Sequence, residues 1–543
     1  MMQLRLRQTT KRKRLWGCLW VAAIGIAIVA IVVLRGLSRL FAPDTYGLEP
    51  AVFRDPKKAE APVTDFVHRF TDPPSKPNIV VILADDLGYG DLSVQGSQAI
   101  QTPNTDRLAA EGVRFTSFYS SAPVCSPSRA GLLTGRYPLR SGIITALQAA
   151  NDTMMRKVTK RAGIAMSQLG TSDMPGGANA VMGLPPSEIT IAEALKVAGY
   201  RTAAIGKWHL GDFTELPEYH PFNHGFDHFV GFNMSNDDWP VAFWRGEEEI
   251  VEDIGIEQEE YTALFTDEAV RFIEEANDKP FFLYLAHKDP HQPFFPSERF
   301  AGKSEGGPYG DAVSEFDWSV GEVVAAIKRL GIENDTLVVV TSDNGPWFEG
   351  SPGGLRGRKG QSYEGGFRVP CVAWWPGYIP AGRVVEEPAM NIDLLPTFMR
   401  LAGLGLPTDR VIDGTDIWSV LSGQEGKPLQ RPLFFFHDYD VEAVRAGPWK
   451  YFRANSHYVW PVPLDKQDNI AGGLLAGYNY TPPGSSESIP TLGTWPLLYH
   501  MSRDPGESYN VAETYPGVAR KLEEQMNAWR DDFYANPRGW RPD

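Results

Sequence analysis

Four short polar groups of residues follow apolar stretches of this chain, and their side chains are of types that bind metal ions or transfer protons. The groups are Asp85-Asp86, Lys207 with His209, His287 with His291, and Asp343-Asn344. The oxygen donors of the first and last groups are hard ligands, which suit Ca²⁺ or Mg²⁺ better than zinc. One acidic pair alone is more often a solvated turn, but two pairs at matched positions indicate a metal site.

Cationic side chains accompany this candidate metal site and indicate which kind of substrate it could bind. Arg129 and Lys359 add to the positive charge of Lys207 and to the proton-donating histidines. A divalent ion beside several cations suits a tetrahedral oxyanion ester, because negative charge grows on the ester oxygens in the transition state. His209 or His291 taken singly is as typical of a structural histidine as of a catalytic one, whereas the whole group favours catalysis.

A lone cysteine, Cys125, lies in the stretch APVCSPSRAGLLTGRYP. Ser126 can cap a helix, Pro127 suits the first helical position and Gly135 ends the pattern, so we predict that Cys125 lies just outside a helix N-terminus. That end of a helix carries partial positive charge and favours an anion or a developing negative charge. A buried structural cysteine is the alternative, because free cysteine is among the most buried residue types.

The elements that must position these residues alternate between strands and helices. Asn78 to Ala84 is a continuous apolar, β-branched run, typical of a strand buried on both faces of a parallel sheet. Similar runs lie at 201–211, 279–294 and 335–345, and helical patterns at 187–198, 261–277 and 314–330. This order predicts a doubly wound α/β sheet. Because ligands collect at the carboxyl ends of parallel strands, we expect the four polar groups to converge.

The pattern changes near residue 431, which we predict as the boundary between a catalytic domain (77–430) and a C-terminal α+β subdomain (431–543). Short strand-like pieces are followed there by a helical pattern from Tyr515 to Tyr534. Two long insertions are expected, at 144–186 beside the cysteine helix and at 454–494 in the subdomain.

The N-terminus predicts a membrane anchor. A basic tail (1–14) precedes twenty uncharged residues (15–34), enough to cross a bilayer, and a linker follows (35–76). The excess of positive charge before the apolar run places the tail in the cytoplasm and the catalytic body across the membrane. A cleaved signal peptide, which would give a secreted form, is the rival interpretation.

Net charge and cysteine content argue against a nucleic-acid-binding protein and against a disulfide-rich fold. The formal net charge is −15, and the first 43 residues contain basic but no acidic residues, so the rest of the chain is strongly acidic and nucleic acid is not an expected partner. Three cysteines cannot form a disulfide framework: Cys18 lies in the apolar N-terminal run and Cys371 in a strand-like run. A Cys125–Cys371 pair stays open at this point.

The stretch CSPSRAGLLTGR, Cys125 to Arg136, resembles the signature of type I sulfatases, C-x-P-S-R followed by L-x-T-G-R. Further stretches similar to that family occur in its expected order between about residues 77 and 535: NIVVILADDLGYGDL, GKWHLG, HPFNHGFDHFVG, FFLYLAHKDPHQPF, TSDNG, GRKGQSYEGGFRVP and LYHMSRDPGESYNV. The resemblance implies the alkaline phosphatase-like fold: a large mixed, mostly parallel sheet between helices, with a smaller C-terminal α+β subdomain. It also implies an arylsulfatase-like or steryl-sulfatase-like sulfuric ester hydrolase.

The resemblance also implies how the cysteine functions. In this family the signature cysteine is oxidised by a formylglycine-generating enzyme to Cα-formylglycine, an aldehyde whose hydrate attacks the sulfur of the ester and later expels sulfate. Cys125 would then not act as a thiol.

Site roles are carried over from the family residue by residue. Four residues would hold Ca²⁺, with the modified Cys125 completing the shell: Asp85, Asp86, Asp343 and Asn344. Asp343 would also accept the proton of the attacking hydroxyl, and Arg129 would steady the formylglycine. Lys207 and Lys359 would grip the sulfate, and His291 with Lys359 would protonate the leaving alcohol. His209 would assist the final elimination, and Ser235 would contact substrate; His287 is the alternative to His291.

Two other functions are weighed against the sulfatase. One is a formylglycine-dependent phosphonate monoester or phosphodiester hydrolase, and the other is an unmodified receptor for sulfated ligands. The substrate, a small aryl or steroid sulfate or a sulfated glycan, is left open, as is the oligomeric state.

Overall fold

The computed structural model describes residues 61–69, 76–148, 181–238, 240–276, 279–424, 429, 431–437, 439–453 and 496–541. The predicted tail and anchor (1–34), most of the linker and the greater part of both insertions lie outside these ranges. Within them, every helix is too short or too polar to cross a bilayer. Val63 to Arg69, predicted as linker, packs on the body: Val67 is buried and Arg69 forms a β-bridge with Leu404.

A large mixed sheet forms the centre of the molecule. Its first strand is β1, whose apolar residues are buried on both faces, as the continuous β-branched run predicts. The strands of this sheet are β1 Asn78–Ala84, β2 Val113–Tyr119, β3 Arg201–Lys207, β4 His228–Phe232, β5 Phe243–Arg245, β6 Glu248–Val251, β7 Phe281–Ala286, β8 Thr336–Ser342, β9 Arg368–Trp374, β10 Arg383–Val385 and β11 Ala389–Met390.

The strand order is β10-β2-β9-β8-β1-β7-β3-β4-β5-β6, with β11 also paired to β2. The consecutive strands β8, β1, β7, β3 and β4 are all parallel, with β1 in register between β7 (Ile79 opposite Phe282) and β8 (Ile79 opposite Leu337). The strand β9 runs antiparallel between β8 and β2, and β5 and β6 extend the other edge antiparallel. Carboxyl ends of the central strands therefore lie side by side.

Helices pack in two groups on this sheet. The helices are α1 Pro103–Glu111, α2 Cys125–Thr134, α3 Ile191–Val197, α4 Tyr261–Glu274, α5 Gly307–Arg329, α6 Glu364–Phe367, α7 Leu394–Leu401, α8 Trp418–Ser422 and α9 Pro516–Ala535. In one group, α5 contacts both α1 and α4, while α1 contacts β9 and α4 contacts β3 and β7. In the other group, α2, α3 and α7 contact one another.

A smaller antiparallel sheet completes the fold. Its order is β12-β13-β14-β15, with bounds Leu433–His437, Asp440–Ala446, Trp449–Phe452 and Leu497–His500. The long helix α9 packs against β13, and Trp529 of α9 stacks on Phe434 of β12 at a centroid distance of 4.7 Å. The large sheet, its helices and this smaller sheet with one helix confirm the predicted fold class.

Two local predictions were wrong. Helix α5 begins at Gly307, seven residues before the predicted Ser314, because Pro308 occupies its first turn, where a missing N–H costs nothing. Helix α2 begins at Cys125 itself, with Val124 as its N-cap, rather than after a Ser126 cap. The Ser126 hydroxyl instead accepts a hydrogen bond from the backbone N–H of Leu147, 3.0 Å away.

Candidate active site

The polar groups at the strand ends converge, as the parallel sheet requires. Asp85 and Asp86 follow β1, Asp343 and Asn344 follow β8, and Lys207 ends β3. The backbone N–H of Asp343 donates to the carbonyl of Ala84 at 3.1 Å, so the two acidic turns are held directly against each other. The predicted convergence is therefore confirmed for these two turns.

Oxygen donors from both turns meet in a buried cluster. The Asn344 amide donates to Asp86 Oδ1 at 2.7 Å, and the backbone N–H of Asp86 donates to Asp343 Oδ1 at 3.1 Å. Asp86 adopts a left-handed backbone (φ 65°), which turns its side chain back toward this cluster at a conformational cost. Ligand atoms of Asp85, Asp86, Cys125 and His291 lie within 4.8 Å of one another.

Two oxygen acceptors in this cluster lack donors. Asp85 Oδ1 and Asn344 Oδ1 are both buried, and neither receives a hydrogen bond from the residues that the structure describes. A buried acceptor without a donor costs about 1–3 kcal/mol, so such atoms call for a ligand that accepts lone pairs. A hard cation fits this donor group, which is composed of carboxylate and amide oxygens.

Arg129 and Lys207 supply positive charge that balances the acidic residues of the cluster. Arg129 is fully buried and donates to Asp343 Oδ2 through Nε at 2.9 Å, and its Nη2 lies 2.8 Å from the same oxygen in an ion pair. Its Nη1 donates to the carbonyl of Lys207 at 2.8 Å. The Lys207 ammonium donates to Asp85 Oδ2 and to Ser235 Oγ, the latter at 2.8 Å. Arg129 therefore ties the cysteine helix to both strand ends.

Lys359 and His291 both contact Asp86. Lys359 Nζ is 2.7 Å from Asp86 Oδ1 and 2.8 Å from Oδ2, and His291 Nε2 is 3.6 Å from Oδ2. His291 Nδ1 meets the carbonyl of Gln292 at 2.5 Å, which leaves Nε2 facing the cluster. These two groups can donate protons or hydrogen bonds to an anion bound beside the acids.

Electrostatics separate the carboxylates of the cluster. Burial alone would raise the pKa of Asp85, but Lys207, His291 and Arg129 hold it well below its usual value. Burial and the neighbouring charge of Asp85 raise the pKa of Asp343 to about 7, against the opposing effect of Arg129. Two carboxylates with opposite pKa shifts in one site are typical of a functional centre.

Cys125 opens helix α2 beside these groups. The thiol is 2 % exposed, and burial raises its pKa strongly, so it is not a thiolate nucleophile. Cys125 and Cys371 are both free and buried, and the disulfide left open by the sequence is therefore absent between these two described cysteines. A nucleophile at position 125 requires a chemical form other than the thiol.

His209 and Ser235 lie near Lys207. His209 also has a left-handed backbone (φ 54°), and its Nε2 lies 3.1 Å from the carbonyl of Leu147. Its buried Nδ1 meets no hydrogen-bond partner in the described part of the chain, and burial lowers the pKa of the imidazole well below its usual value. His209 is therefore held neutral.

His287, the alternative to His291, belongs to the core. Its Nε2 lies 2.9 Å from Ser319 Oγ, and its ring packs edge-on against the Phe316 ring at a centroid distance of 5.5 Å. Both of these residues belong to helix α5. Burial lowers the pKa of His287 to about 4. The geometry places His291, not His287, beside the acids.

Sequence reasoning missed Asp237. Its carboxylate accepts a hydrogen bond from Ser235, and His291 and Lys207 overcome burial and lower its pKa. The acidic pair in GFNMSNDD, which begins two residues after Ser235, is a signal that could have indicated a third acidic turn.

A second missed residue is Glu507, which anchors the loop that carries Lys359. Its carbonyl accepts from Arg356 Nη1 at 2.9 Å, and its carboxylate accepts from the backbone N–H of Glu364 at 2.8 Å. Lys450 Nζ neutralises it at 2.9 Å. The segment that follows β15 thus holds both ends of this loop, and the motif DPGE was a signal for it.

Family models match most of the described body. The model for sulfatase matches residues 77–404, and the model for the C-terminal region of aryl-sulfatase matches residues 429–538. A third, N-sulphoglucosamine sulphohydrolase C-terminal, matches residues 358–458.

Individual proteins agree with these matches. The chain is 38 % identical over 461 residues to N-acetylgalactosamine-6-sulfatase of Mus musculus, covering 81 % of this chain and 82 % of that protein. It is 35 % identical over 524 residues to steryl-sulfatase of Mus musculus, covering 80 % and 78 %.

Solved structures are similar over the same region. The PsFucS1 sulfatase from Pseudoalteromonas sp. matches with a TM-score of 0.67 at 28 % identity, covering 85 % of this chain and 91 % of that one. The structure of Ps i-CgsB in complex with k-i-k-neocarrahexaose matches with a TM-score of 0.63 at 28 % identity, covering 84 % and 93 %.

Proposed function

Because this chain belongs to the type I sulfatase family and hydrolyses sulfate esters, we propose that its nucleophile is made from Cys125 and that Ca²⁺ assists it. The observation that supports this proposal best is the buried cluster in which ligand atoms of Cys125, Asp85, Asp86 and His291 lie within 4.8 Å of one another. Four residues would hold the ion, together with the modified side chain of Cys125: Asp85, Asp86, Asp343 and Asn344.

Calcium is the proposed metal because every donor from the two acidic turns is an oxygen. The unpartnered Asp85 Oδ1 and Asn344 Oδ1 would each gain a partner on metal binding. The ion would supply positive charge where the ester oxygens become negative. Asn344 supplies its ligand oxygen while its amide N–H group holds Asp86 in place.

Cα-formylglycine is the proposed form of Cys125, since the thiol itself is buried and kept protonated. Its hydrate supplies a hydroxyl nucleophile and a second hydroxyl for the release of sulfate. Asp343 would accept the proton of the attacking hydroxyl: burial and the neighbouring charge of Asp85 raise the pKa of this carboxyl, and a bound cation would lower it. A formylglycine-generating enzyme is the implied partner, and the burial of Cys125 requires that it act before helix α2 packs.

The cations divide into two groups around the proposed sulfate position. Lys207 and Lys359 would bind the non-bridging oxygens, with Ser235 held beside Lys207 as a further contact. Arg129 would orient the nucleophile through its ion pair with Asp343. These contacts stabilise charge that develops in the transition state.

Proton transfer to the leaving alcohol is assigned to His291, aided by Lys359. Both lie beside Asp86, whereas Arg129 pairs with Asp85 and Asp343, so the proposed proton donors and the group that orients the nucleophile contact different carboxylates. The neutral His209, with its unpartnered Nδ1, is available to accept a proton during sulfate release.

A sulfated sugar is the proposed substrate class. One similar protein is named N-acetylgalactosamine-6-sulfatase, and one similar structure is titled as a complex with k-i-k-neocarrahexaose. The similarity to steryl-sulfatase makes a steroid sulfate the alternative. Turnover of a sulfated hexosamine and of a steroid sulfate by the same preparation distinguishes them.

We further propose that the body lies outside the cytoplasm, anchored by residues 15–34 or secreted after cleavage there. This part of the proposal rests on the sequence, because the segment lies outside the described residues. N-terminal sequencing of the mature protein distinguishes an intact anchor from a cleaved signal peptide.

Two measurements test the proposed chemistry. Mass spectrometry of the tryptic peptide that contains Cys125 should show the aldehyde and its hydrate, and the purified protein should hydrolyse 4-nitrophenyl sulfate much faster than a phenyl phosphonate ester. An unmodified thiol without turnover would support a binding protein instead. Preferred hydrolysis of the phosphonate ester would support the rival hydrolase.

A further inference from the structure

The turn that carries His291 contains a buried ion pair, and none of the roles assigned above uses it. The pair joins two residues that are adjacent in the chain, Lys288 and Asp289, and Lys288 Nζ donates to Asp289 Oδ1 at 2.8 Å. Both side chains are buried. Because the removal of two charges from water is costly, an ion pair buried next to a functional turn calls for an explanation.

Helix α4 supplies the second partner of the Asp289 carboxylate. The Thr262 hydroxyl, in the first turn of α4, donates to Asp289 Oδ2, while Lys288 occupies Oδ1. Thr262 is itself fully buried. Each carboxylate oxygen therefore has a donor, and the side chain is fixed from two directions. These three residues, Thr262, Lys288 and Asp289, are here called the Asp289 clamp.

The charges of the clamp act on two neighbouring ionisable groups. Burial raises the pKa of Glu315 on helix α5, and Asp289 raises it further while Lys288 lowers it. Burial lowers the pKa of His287, and Asp289 opposes this effect while Lys288 adds to it. Since the two charges act with opposite sign on both neighbours, the ion pair is better suited to hold the turn than to set the charge around it.

The backbone of the turn connects the clamp to the active site. The carbonyl of Asp289 accepts from the backbone N–H of Asp85 at 3.0 Å, and the carbonyl of Lys288 accepts from the backbone N–H of His291 at 3.1 Å. His291 Nε2 in turn lies 3.6 Å from Asp86 Oδ2. The two residues of the ion pair therefore hold both the first acidic turn and the residue that carries the imidazole.

We propose that Thr262, Lys288 and Asp289 are positioning residues for His291, and that they act by fixing the turn in which it lies. The inference rests on the proposed function, in which His291 protonates the leaving alcohol, and adds the residues that orient this proton donor. A misplacement of about 1 Å can lower a rate about a hundredfold, so a clamp that touches no substrate can still control this step.

The experiment compares two aryl sulfates of similar size, 4-nitrophenyl sulfate and 4-methylphenyl sulfate. The 4-nitrophenolate leaves readily without a proton, whereas 4-methylphenol is a much weaker acid and its departure depends on a proton donor. The quantity compared is kcat/KM, because it includes every step up to the departure of the alcohol. A misplaced proton donor lowers kcat/KM more for the 4-methylphenyl ester, whereas a loss of folded protein lowers it equally for both.

Two variants weaken the clamp to different degrees. Thr262→Val removes one donor to Asp289 with little change of shape, and we expect kcat/KM to fall at least about threefold more for the 4-methylphenyl ester than for the 4-nitrophenyl ester. Lys288→Met combined with Asp289→Asn removes both charges of the pair together, so that neither is left unpaired, and we expect a difference of about tenfold.

A matched control comes from another ion pair between adjacent buried residues, Asp409 and Arg410. Asp409→Asn weakens that pair and should leave the ratio of the two kcat/KM values unchanged. If Asp409→Asn changed the ratio as much as the clamp variants do, the effect would not be specific to the turn of His291, and the proposal would be overturned.

A variant of His291 shows whether the clamp acts through the imidazole. We expect His291→Ala to lower kcat/KM far more for the 4-methylphenyl ester, and Thr262→Val to change the ratio no further in that background, because residues that act through one another are not additive. A further change of the ratio in the double variant would overturn the proposal.

The outcomes separate this inference from the proposed function. If protein with formylglycine at position 125 hydrolyses neither ester, the proposed function fails. If His291→Ala changes the ratio while the clamp variants lower both values equally or not at all, the clamp proposal alone is wrong. Loss of calcium-dependent stabilisation in Thr262→Val would mean that the clamp serves Asp85 rather than His291, and would also overturn it.

Discussion

Two buried ionic clusters lie at opposite ends of helix α2, and they are built differently. The active-site cluster contains Asp85, Asp86 and Asp343 with Arg129, one turn into the helix that Cys125 begins. The second, here called the arginine cluster, binds the chain's C-terminal segment to the body. Its members are Arg136, Arg140, Glu188, Asp413 and Arg538.

In the arginine cluster each carboxylate meets guanidinium groups. Glu188 is bound on one oxygen by Arg136 and on the other by Arg538, both at 2.7 Å, and Asp413 is bound by two nitrogens of Arg140 at 2.8 and 3.0 Å. The Trp540 ring lies against the Arg538 guanidinium at 4.6 Å. Such pairing compensates the desolvation of the charges and leaves little room for a ligand.

Both clusters contain buried polar atoms without a hydrogen bond, among them Asp85 Oδ1 in the active-site cluster and Glu188 Oε1 in the arginine cluster, although the latter lies 2.7 Å from Arg538 Nη2. The clusters differ in the pKa of their carboxylates. Burial and the charge of Asp85 raise the pKa of Asp343 to about 7, whereas Arg136 and Arg538 hold the pKa of Glu188 below its usual value. Burial of charge alone therefore does not indicate function; in the active-site cluster, the charge of neighbouring carboxylates is incompletely balanced.

The largest expected effect is a loss of turnover when the cysteine beside the active-site cluster is replaced. Cys125→Ala should lower turnover by more than about a thousandfold, because the nucleophile is lost, and should change stability by only about 1 kcal/mol. Cys371→Ala, which removes the other buried thiol from strand β9, should retain turnover. Assays and urea unfolding of both variants check this, and insoluble Cys125→Ala protein would instead indicate a structural cysteine.

Metal binding provides the next test. Calcium at a hundred times its dissociation constant should stabilise the wild type by about 2.7 kcal/mol over EGTA-treated protein. Asp343→Ala should lose both this gain and activity, since a ligand is removed. Asp413→Ala, from the arginine cluster, should lose stability yet keep the calcium-dependent gain; thermal unfolding with and without calcium measures both. A calcium shift retained in Asp343→Ala would contradict the ligand assignment.

Disrupting the arginine cluster should lower the stability of the protein and leave turnover nearly unchanged. Glu188→Gln leaves Arg136 and Arg538 without their counter-charge, and we expect a loss of about 3–5 kcal/mol in the free energy of unfolding. Turnover per folded molecule should stay within about twofold of wild type, because no group of the active-site cluster moves. Urea denaturation and active-site titration check this. A selective loss of turnover would mean that the two clusters are coupled through helix α2.

The smallest effect is a pH dependence. Burial alone would raise the pKa of Glu188, but Arg136 and Arg538 hold it below its usual 4.5. A lowered pKa means that this group's contribution to stability is fully present above about pH 4.5 and declines as pH falls toward the folded-state pKa. In acid unfolding, Glu188→Gln should reduce the slope of stability against pH by no more than about 1.4 kcal/mol per unit. An unchanged slope would contradict the assignment.

Much of the site could be predicted because its residues are local to strand ends. The run Asn78–Ala84 is buried throughout and ends directly in Asp85, so pattern and chemistry coincide in a few adjacent residues. The helix starts at Cys125 and Gly307 were harder to predict, because the first residue of a helix depends on contacts with other segments. The backbone N–H of Leu147, for example, donates a hydrogen bond to the Ser126 hydroxyl from another segment of the chain.

By itself the sequence determined the strand pattern, the type I sulfatase signature around Cys125 and the oxygen-rich chemistry of the two acidic turns, since each is encoded in contiguous residues. Only the tertiary structure decided that His291 rather than His287 faces Asp86, and that Glu507 holds the Lys359 loop. It also decided which buried carboxylates stay incompletely paired. These outcomes depend on the packing of segments more than a hundred residues apart, and no local pattern reports which side chains such packing brings within hydrogen-bond distance.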